Sequence, residues 1–276
     1  MNENFESSDE EKNLENEFLK IKLKLQHGGE YHAMDNDPGL PVETENQFLN
    51  NIMEFEKQYA ERKEIKIFDR IERPGNFKPV NEIPADEIED AWDVLDGYLR
   101  KYGIQLSACS PNVSVRELYR FTTEELFEHE IDDMNIPGMM TCFIYDEFYP
   151  DHKYDNTRLA EDYINSIFSK RPVEWLPRLS NNNLRLNEHD SLSEENFKEI
   201  INRWKEAYED ITVNEIKDVN CTIGEKFCQV KGGYDITLRL PLEEIVLKGN
   251  WQVEFELDKE FEYWLVVSVQ IEGIKF

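Results

Sequence analysis

Apolar residues in the first two thirds of the chain recur mostly at three- and four-residue spacing. Ser8 and Glu11 stand at capping-box distance, Leu14, Phe18, Ile21 and Leu25 follow at helical intervals, and Gly28-Gly29 stops the run. Thr44 and Gln47 open a second helix that would bury Phe48, Leu49, Ile52, Phe55 and Tyr59. Alternation over Ile65–Ile71 predicts a strand, and Ile88, Trp92, Leu95 and Leu99 predict a helix ended by Gly103. Ile104–Ala108 reads as a short strand. Two capping boxes, Ser114 with Glu117 and Thr122 with Glu125, predict two helical segments. Thr141–Phe148 reads as extended, and Leu159, Tyr163, Ile164, Ile167 and Phe168 line a further helix.

The period changes near the end. Ser191 with Glu194 opens a helix striped by Phe197, Ile200, Ile201, Trp204 and Tyr208, after which everything reads as strands. Trp251, Val253, Phe255 and Leu257 alternate with polar residues. Beyond a polar turn at Lys259-Glu260, so do Tyr263, Leu265, Val267, Val269 and Ile271. Gly232-Gly233 reads as a hairpin turn between strands. The expected class is α+β: a mainly helical N-terminal region with a few short strands, then a helix plus an antiparallel sheet. The expected divisions are a mobile acidic tail and helix over 1–29, an α-rich domain with short strands over 30–180, a linker at 181–190 at the end of the Pro- and Asn-rich stretch 171–190, and an α+β domain over 191–276.

Composition narrows the function classes. Of 276 residues 39% are apolar and 12% aromatic, enough for a core, and the net charge is -28. A polyanion is repelled by phosphate backbones and anionic bilayers, so neither nucleic acid nor a membrane is expected as partner. The opening MNENFESSDEEKN lacks the basic and apolar regions of a secretory signal, and Cys109, Cys142, Cys221 and Cys228 show no CxxC spacing. Both point to a cytoplasmic protein with reduced thiols.

The closing strands WQVEFELD and EYWLVVSVQIEGIKF, behind the helix from Ser191, resemble the NTF2-like and cystatin-like group. The resemblance covers Ser191–Phe276 and implies helices packed into the concave side of a curved antiparallel sheet. It also implies a homodimer paired through open sheet faces. Many enzymes of that group set an Asp and a His inside the cone, whereas this chain has no histidine after Ser191. The stretch RFTTEELFEHEIDDMNIPGMMTCFIYDEF is similar to segments of bacterial proteins of unassigned function, which brings no chemistry with it.

Candidate chemistry is sparse. A continuous helix would stack Glu125, His129 and Asp133 on one face, where carboxylates and an imidazole one turn apart could chelate a metal or orient a base. The competing interpretation is an acidic solvated face opposite Leu126, Phe127 and Ile131. The loop His32–Gly39 gathers oxygen ligands without EF-hand spacing and reads as a turn. No GxSxG, GxGxxG or GxxxxGK[ST] occurs, so no cofactor is expected. In the last domain Trp204, Tyr234, Trp251 and Tyr263 are candidate pocket-lining aromatics, with core packing as the alternative. Together these features favour a non-enzymatic protein that binds an unknown partner through an acidic surface. A small-molecule pocket in the C-terminal domain, and a metal-dependent site near His129, are the alternatives.

Overall fold

The computed structural model describes residues 3–30, 39–180, 184–260 and 262–276, with backbone alone for 3–8. The His32–Gly39 loop therefore lies, but for Gly39, outside the described residues. The chain forms two compact units, Met1–Phe148 and Tyr149–Phe276. The division falls before the expected linker, and Leu184–Leu186 and His189–Leu192, within or overlapping that stretch, are strands of a sheet. Their inward residues Leu184 and Leu186 have no exposure, which is why a Pro- and Asn-rich surrounding did not make a linker of them.

In the first unit α1 (Glu3–His27) lies along α2 (Val42–Glu61), with Leu19 and Leu23 against Leu49, Ile52 and Met53. β1 (Glu64–Lys66) is three residues long and runs directly into α3 (Ile67–Arg70), so the expected seven-residue strand is cut short. Ile67 and Ile71 are four apart and both fully buried, a helical spacing hidden inside an alternating run. α4 (Ile88–Lys101), β2 (Ile104–Ser107) and α5 (Val115–Glu124) follow. Ser114 caps α5 as expected, its Oγ accepting from the Glu117 amide at 3.2 Å. β3 (Glu130–Asp132) pairs antiparallel with β1, β4 (Thr141–Ile144) pairs parallel with β2, and α6 (Tyr145–Phe148) ends the unit. Thr141–Phe148 is thus extended only in its first half.

The second unit opens with α7 (His152–Ile167), followed by β5 (Leu184–Leu186), β6 (His189–Leu192) and α8 (Glu194–Glu206). The cap of α8 is Ser193, accepting from Asn196, two residues beyond the expected Ser191. Four long strands complete it: β7 (Asp210–Ile223), β8 (Phe227–Arg239), β9 (Glu244–Asp258) and β10 (Tyr263–Ile271). The sheet order is β6-β5-β10-β9-β8-β7, antiparallel except for the parallel pair β5–β10. One core joins α7 and α8 to the sheet. Ala160, Ile164, Ile167, Phe168, Phe197 and Ile201 pack with Val230, Ile236, Val253 and Phe255. Helices on one side of an open antiparallel sheet are the layout implied for Ser191–Phe276, with α7 and β5 added ahead of it.

Candidate functional site

Strand β8 buries Cys228, Val230, Gly232, Tyr234, Ile236 and Leu238 on one side. Gly232-Gly233 is no turn; it lies in mid-strand, opposite Trp251 and Asn250 of β9. An added Cβ on Gly232 would stand 2.5 Å from the Trp251 ring, and one on Gly249 would stand 2.9 Å from the Tyr234 ring. Gly232 pairs with Trp251 and Tyr234 with Gly249, so each aromatic ring lies over the glycine opposite it. Trp251 Nε1 then donates to the Gly233 carbonyl at 3.2 Å.

Gly232 and Gly233 are among the residues that line an open cleft of about 700 Å³. Its walls include the β5–β6 turn, where Asn187 has φ +47°, and the segment after β10. Asn187 Nδ2 donates to the carbonyls of Ile271 and Ile274 at 3.0 and 2.7 Å, and its Oδ1 accepts from the Ile271 amide at 2.7 Å. The lining carries three carboxylates, Glu188, Asp218 and Glu272, against one lysine, Lys231. Asn250, Gln252 and Gln270 add amides beside Asn187, and among the described residues no histidine, cysteine or hydroxyl residue lines the cleft. Glu272 is held by the Asn250 amide group at 2.9 Å. Asp218 sits in the left-handed region, φ +52°, at a register shift between Lys217 and Asn220 that presents it on the exposed side of β7.

The four candidate aromatics are not gathered around one cavity. Trp204 packs on Phe168, Tyr208 and Phe276, and Tyr234 on Phe168, its hydroxyl donating to the Glu272 carbonyl. Trp251 reaches the cleft, while Tyr263 is exposed and lines a separate groove with Trp175 and Leu265. A bulge between Val266 and Ser268 explains the parting of Tyr263 from the rest. Trp264 and Val266 are buried before it, Val269 and Ile271 after it, so unbroken alternation assigns Tyr263 to the wrong face.

The expected stack of Glu125, His129 and Asp133 does not form, because α5 ends at Glu124. Leu126–Glu128 turns as a short 3₁₀ helix that buries Leu126 and Phe127, and Glu130–Asp132 then pairs with β1. Glu125 accepts from Arg120 Nη1 at 2.6 Å and Asp133 from Arg70 Nη1 at 2.8 Å. The His129 ring stands edge-on to Phe143 and Phe148. Each carboxylate is already matched by its own guanidinium. Among the described residues no three His, Cys, Asp or Glu side chains gather as a metal set.

Sequence reading missed a buried polar group inside the second unit. Asn156 on α7 has no exposure, and its amide hydrogen-bonds to no nitrogen or oxygen among the described residues. It meets the thiol of Cys228, whose Sγ lies 3.4 Å from that of Cys221. Burial, with the neighbouring Cys221, pushes the Cys228 thiol up to about 12, against a lowering by Asn156. Trp264 Nε1 and Ser268 Oγ are likewise buried without a hydrogen-bond partner among the described residues. Asn156 sits on the inward stripe of α7 with Ala160 and Tyr163, and only its polarity at a core position could have flagged it.

No family model matches this chain, and no curated protein matches it. Solved structures similar to it include the Kfla4162 protein from Kribbella flavida, 14% identical, covering 44% of this chain and 90% of that one at a TM-score of 0.36. An NTF2-like protein from Cytophaga hutchinsonii is 13% identical over 44% of this chain and 96% of that one, at 0.32. Hexachlorocyclohexane dehydrochlorinase LinA-type3 from Novosphingobium barchaimii is 12% identical over 44% and 97%, at 0.31. The NTF2-like group thus recurs among the structures this chain is similar to. Likeness at these values extends to no ligand and no reaction.

Proposed function

We propose that this is a non-enzymatic binding protein whose second unit takes a basic, extended segment of a protein partner in the cleft over Gly232-Gly233. The observation that carries it is the lining: three carboxylates and several amides against one lysine, on a chain of net charge -28. Carboxylates and amide oxygens accept from guanidinium and ammonium groups, and the field of the whole molecule steers cations towards them. An open cleft suits a strand-like segment better than a small molecule that must be enclosed.

Titration of a fluorescein-labelled octa-arginine peptide, followed by anisotropy, tests this directly. Binding is expected at about 50 mM salt and weakens roughly tenfold by about 300 mM, while a Gly/Ser peptide stays unbound. Equal binding of both peptides, or of neither, contradicts the proposal.

A second reading is supported by Asn156, Trp264 and Ser268. Their buried polar atoms would suit a small polar guest between α7 and the sheet. Native mass spectrometry on protein from its own host would then show excess mass that Asn156→Leu removes. A bare mass in both proteins contradicts it.

A further inference from the structure

Helix α1 is apolar on two opposite faces, and only one is covered. Leu19 and Leu23, with Asn16 between Val42, Glu45 and Asn46, face α2 and are buried. Leu14, Phe18, Ile21 and Leu25 are 73, 65, 56 and 81% exposed. At about 100° per residue these four fall within a sector of roughly 60°, with the buried three opposite. Their spacing of four, three and four is a heptad seam: Leu14 and Ile21 at d, Phe18 and Leu25 at a. Scattered exposed leucines are ordinary, whereas a complete seam of four large side chains on one line is the pattern of a helix that meets another helix.

Charges beside the seam identify the partner. Glu15 and Lys22 flank it at the e positions, Glu17 and Lys24 at the g positions. Glu15, Lys22 and Lys24 make no ion pair among the described residues, and Glu17 makes an exposed one with Lys20. We infer that a second copy of this chain packs on α1, its own α1 running antiparallel, to form a symmetric dimer. In that arrangement Leu14 meets Leu25 of the copy and Phe18 meets Ile21. Glu15 faces Lys22 and Glu17 faces Lys24, each pair occurring twice about the two-fold axis. The two seam contacts centre between Leu19 and Lys20, and the two charge pairs lie one residue to either side of that point, as e–e and g–g pairs do in an antiparallel coil. A parallel pairing would also join Glu17 to Lys22, but it would oppose Glu10 to Glu15 and align the two acidic ends. Antiparallel packing is therefore the orientation that matches Glu15 and Glu17 alike to lysines. The α1 seam is a different surface from the open sheet face implied by the NTF2-like resemblance, and it is independent of the cleft.

Native mass spectrometry and light scattering should give twice the chain mass of 32.8 kDa. Phe18→Asp, at an exposed position away from α2, should return the monomer. The decisive pair is Glu15→Lys with Glu17→Lys in one protein and Lys22→Glu with Lys24→Glu in another. Each alone should be monomeric, and their equimolar mixture should dimerise, which unfolded helices could not do. A wild-type monomer overturns the inference. So does a dimer that survives Phe18→Asp, or a mixture that stays monomeric.

Discussion

Lys205 shows how one residue ties the second unit together. It lies on α8 and is almost fully buried, its ammonium donating to the carbonyls of Ser166 and Arg171, both at 2.7 Å. Those carbonyls lie at and beyond the C-terminal turn of α7, where acceptors lack helical partners. Burial, with Lys170 nearby, lowers the Lys205 pKa from 10.5 to about 8. A lowered lysine pKa means that the unfolded chain holds the extra proton. The resulting cost is fully present below pH 8 and is relieved as pH rises from 8 towards 10.5. Urea midpoints read by tryptophan fluorescence should therefore rise for the wild type relative to Lys205→Met between pH 7 and about 9.5. Parallel midpoints would contradict the assignment. Four of the five tryptophans lie in this unit, so the signal reports it. Gly232 makes a second test at this scale. Gly232→Ala places a methyl 2.5 Å from a ring that is 2% exposed, and should cost about 1–3 kcal/mol in denaturant melts. A neutral result would mean that Trp251 does not lie on that glycine.

Elements were legible where a single period ran unbroken. α4 keeps helical spacing from end to end and falls close to where its side chains put it, while Leu159–Phe168 and Trp251–Leu257 mark α7 and β9, each of which begins seven residues earlier. Interrupted periods hid the rest. The helical Ile67/Ile71 spacing inside an alternating stretch, the bulge in β10 and the mid-strand glycines of β8 each depend on what lies across the element, which one strand's pattern does not contain. In α1 the most regular stripe, Leu14, Phe18, Ile21 and Leu25, faces solvent, while the less regular Asn16, Leu19 and Leu23 face α2. The cleft was invisible for the same reason as the bulge: Asn187, Asp218, Lys231 and Glu272 are far apart along the chain and meet only through strand order. In the first unit, α5 carries its own prediction. Arg120, and to a lesser degree the Tyr145 hydroxyl, hold the Glu117 carboxyl below its usual 4.5, with burial opposing. That contribution is present above pH 4.5 and is lost as pH falls towards the lowered folded value. Arg120→Gln should flatten the acid limb of the melting profile between about pH 3 and 5. An unchanged limb would show that the pair is immaterial.

At the scale of the whole molecule, two units each bury their own core in a chain with 59 acidic against 31 basic residues. Among the described residues no helix is long and apolar enough to cross a membrane. Bulk charge of this size would attract any cation, so what separates a built site from a charged surface is whether location matters. The most direct measurement is the octa-arginine titration on two variants of equal net charge. Glu188→Gln with Asp218→Asn removes two carboxylates from the cleft, and asparagine tolerates the positive φ at position 218. Glu195→Gln with Glu206→Gln removes two exposed carboxylates from α8 instead. The cleft variant should bind about fivefold or more weakly than the α8 variant, the worth of two partly exposed ion pairs. Equal affinities would place the peptide on the general acidic surface and contradict the cleft as the binding site.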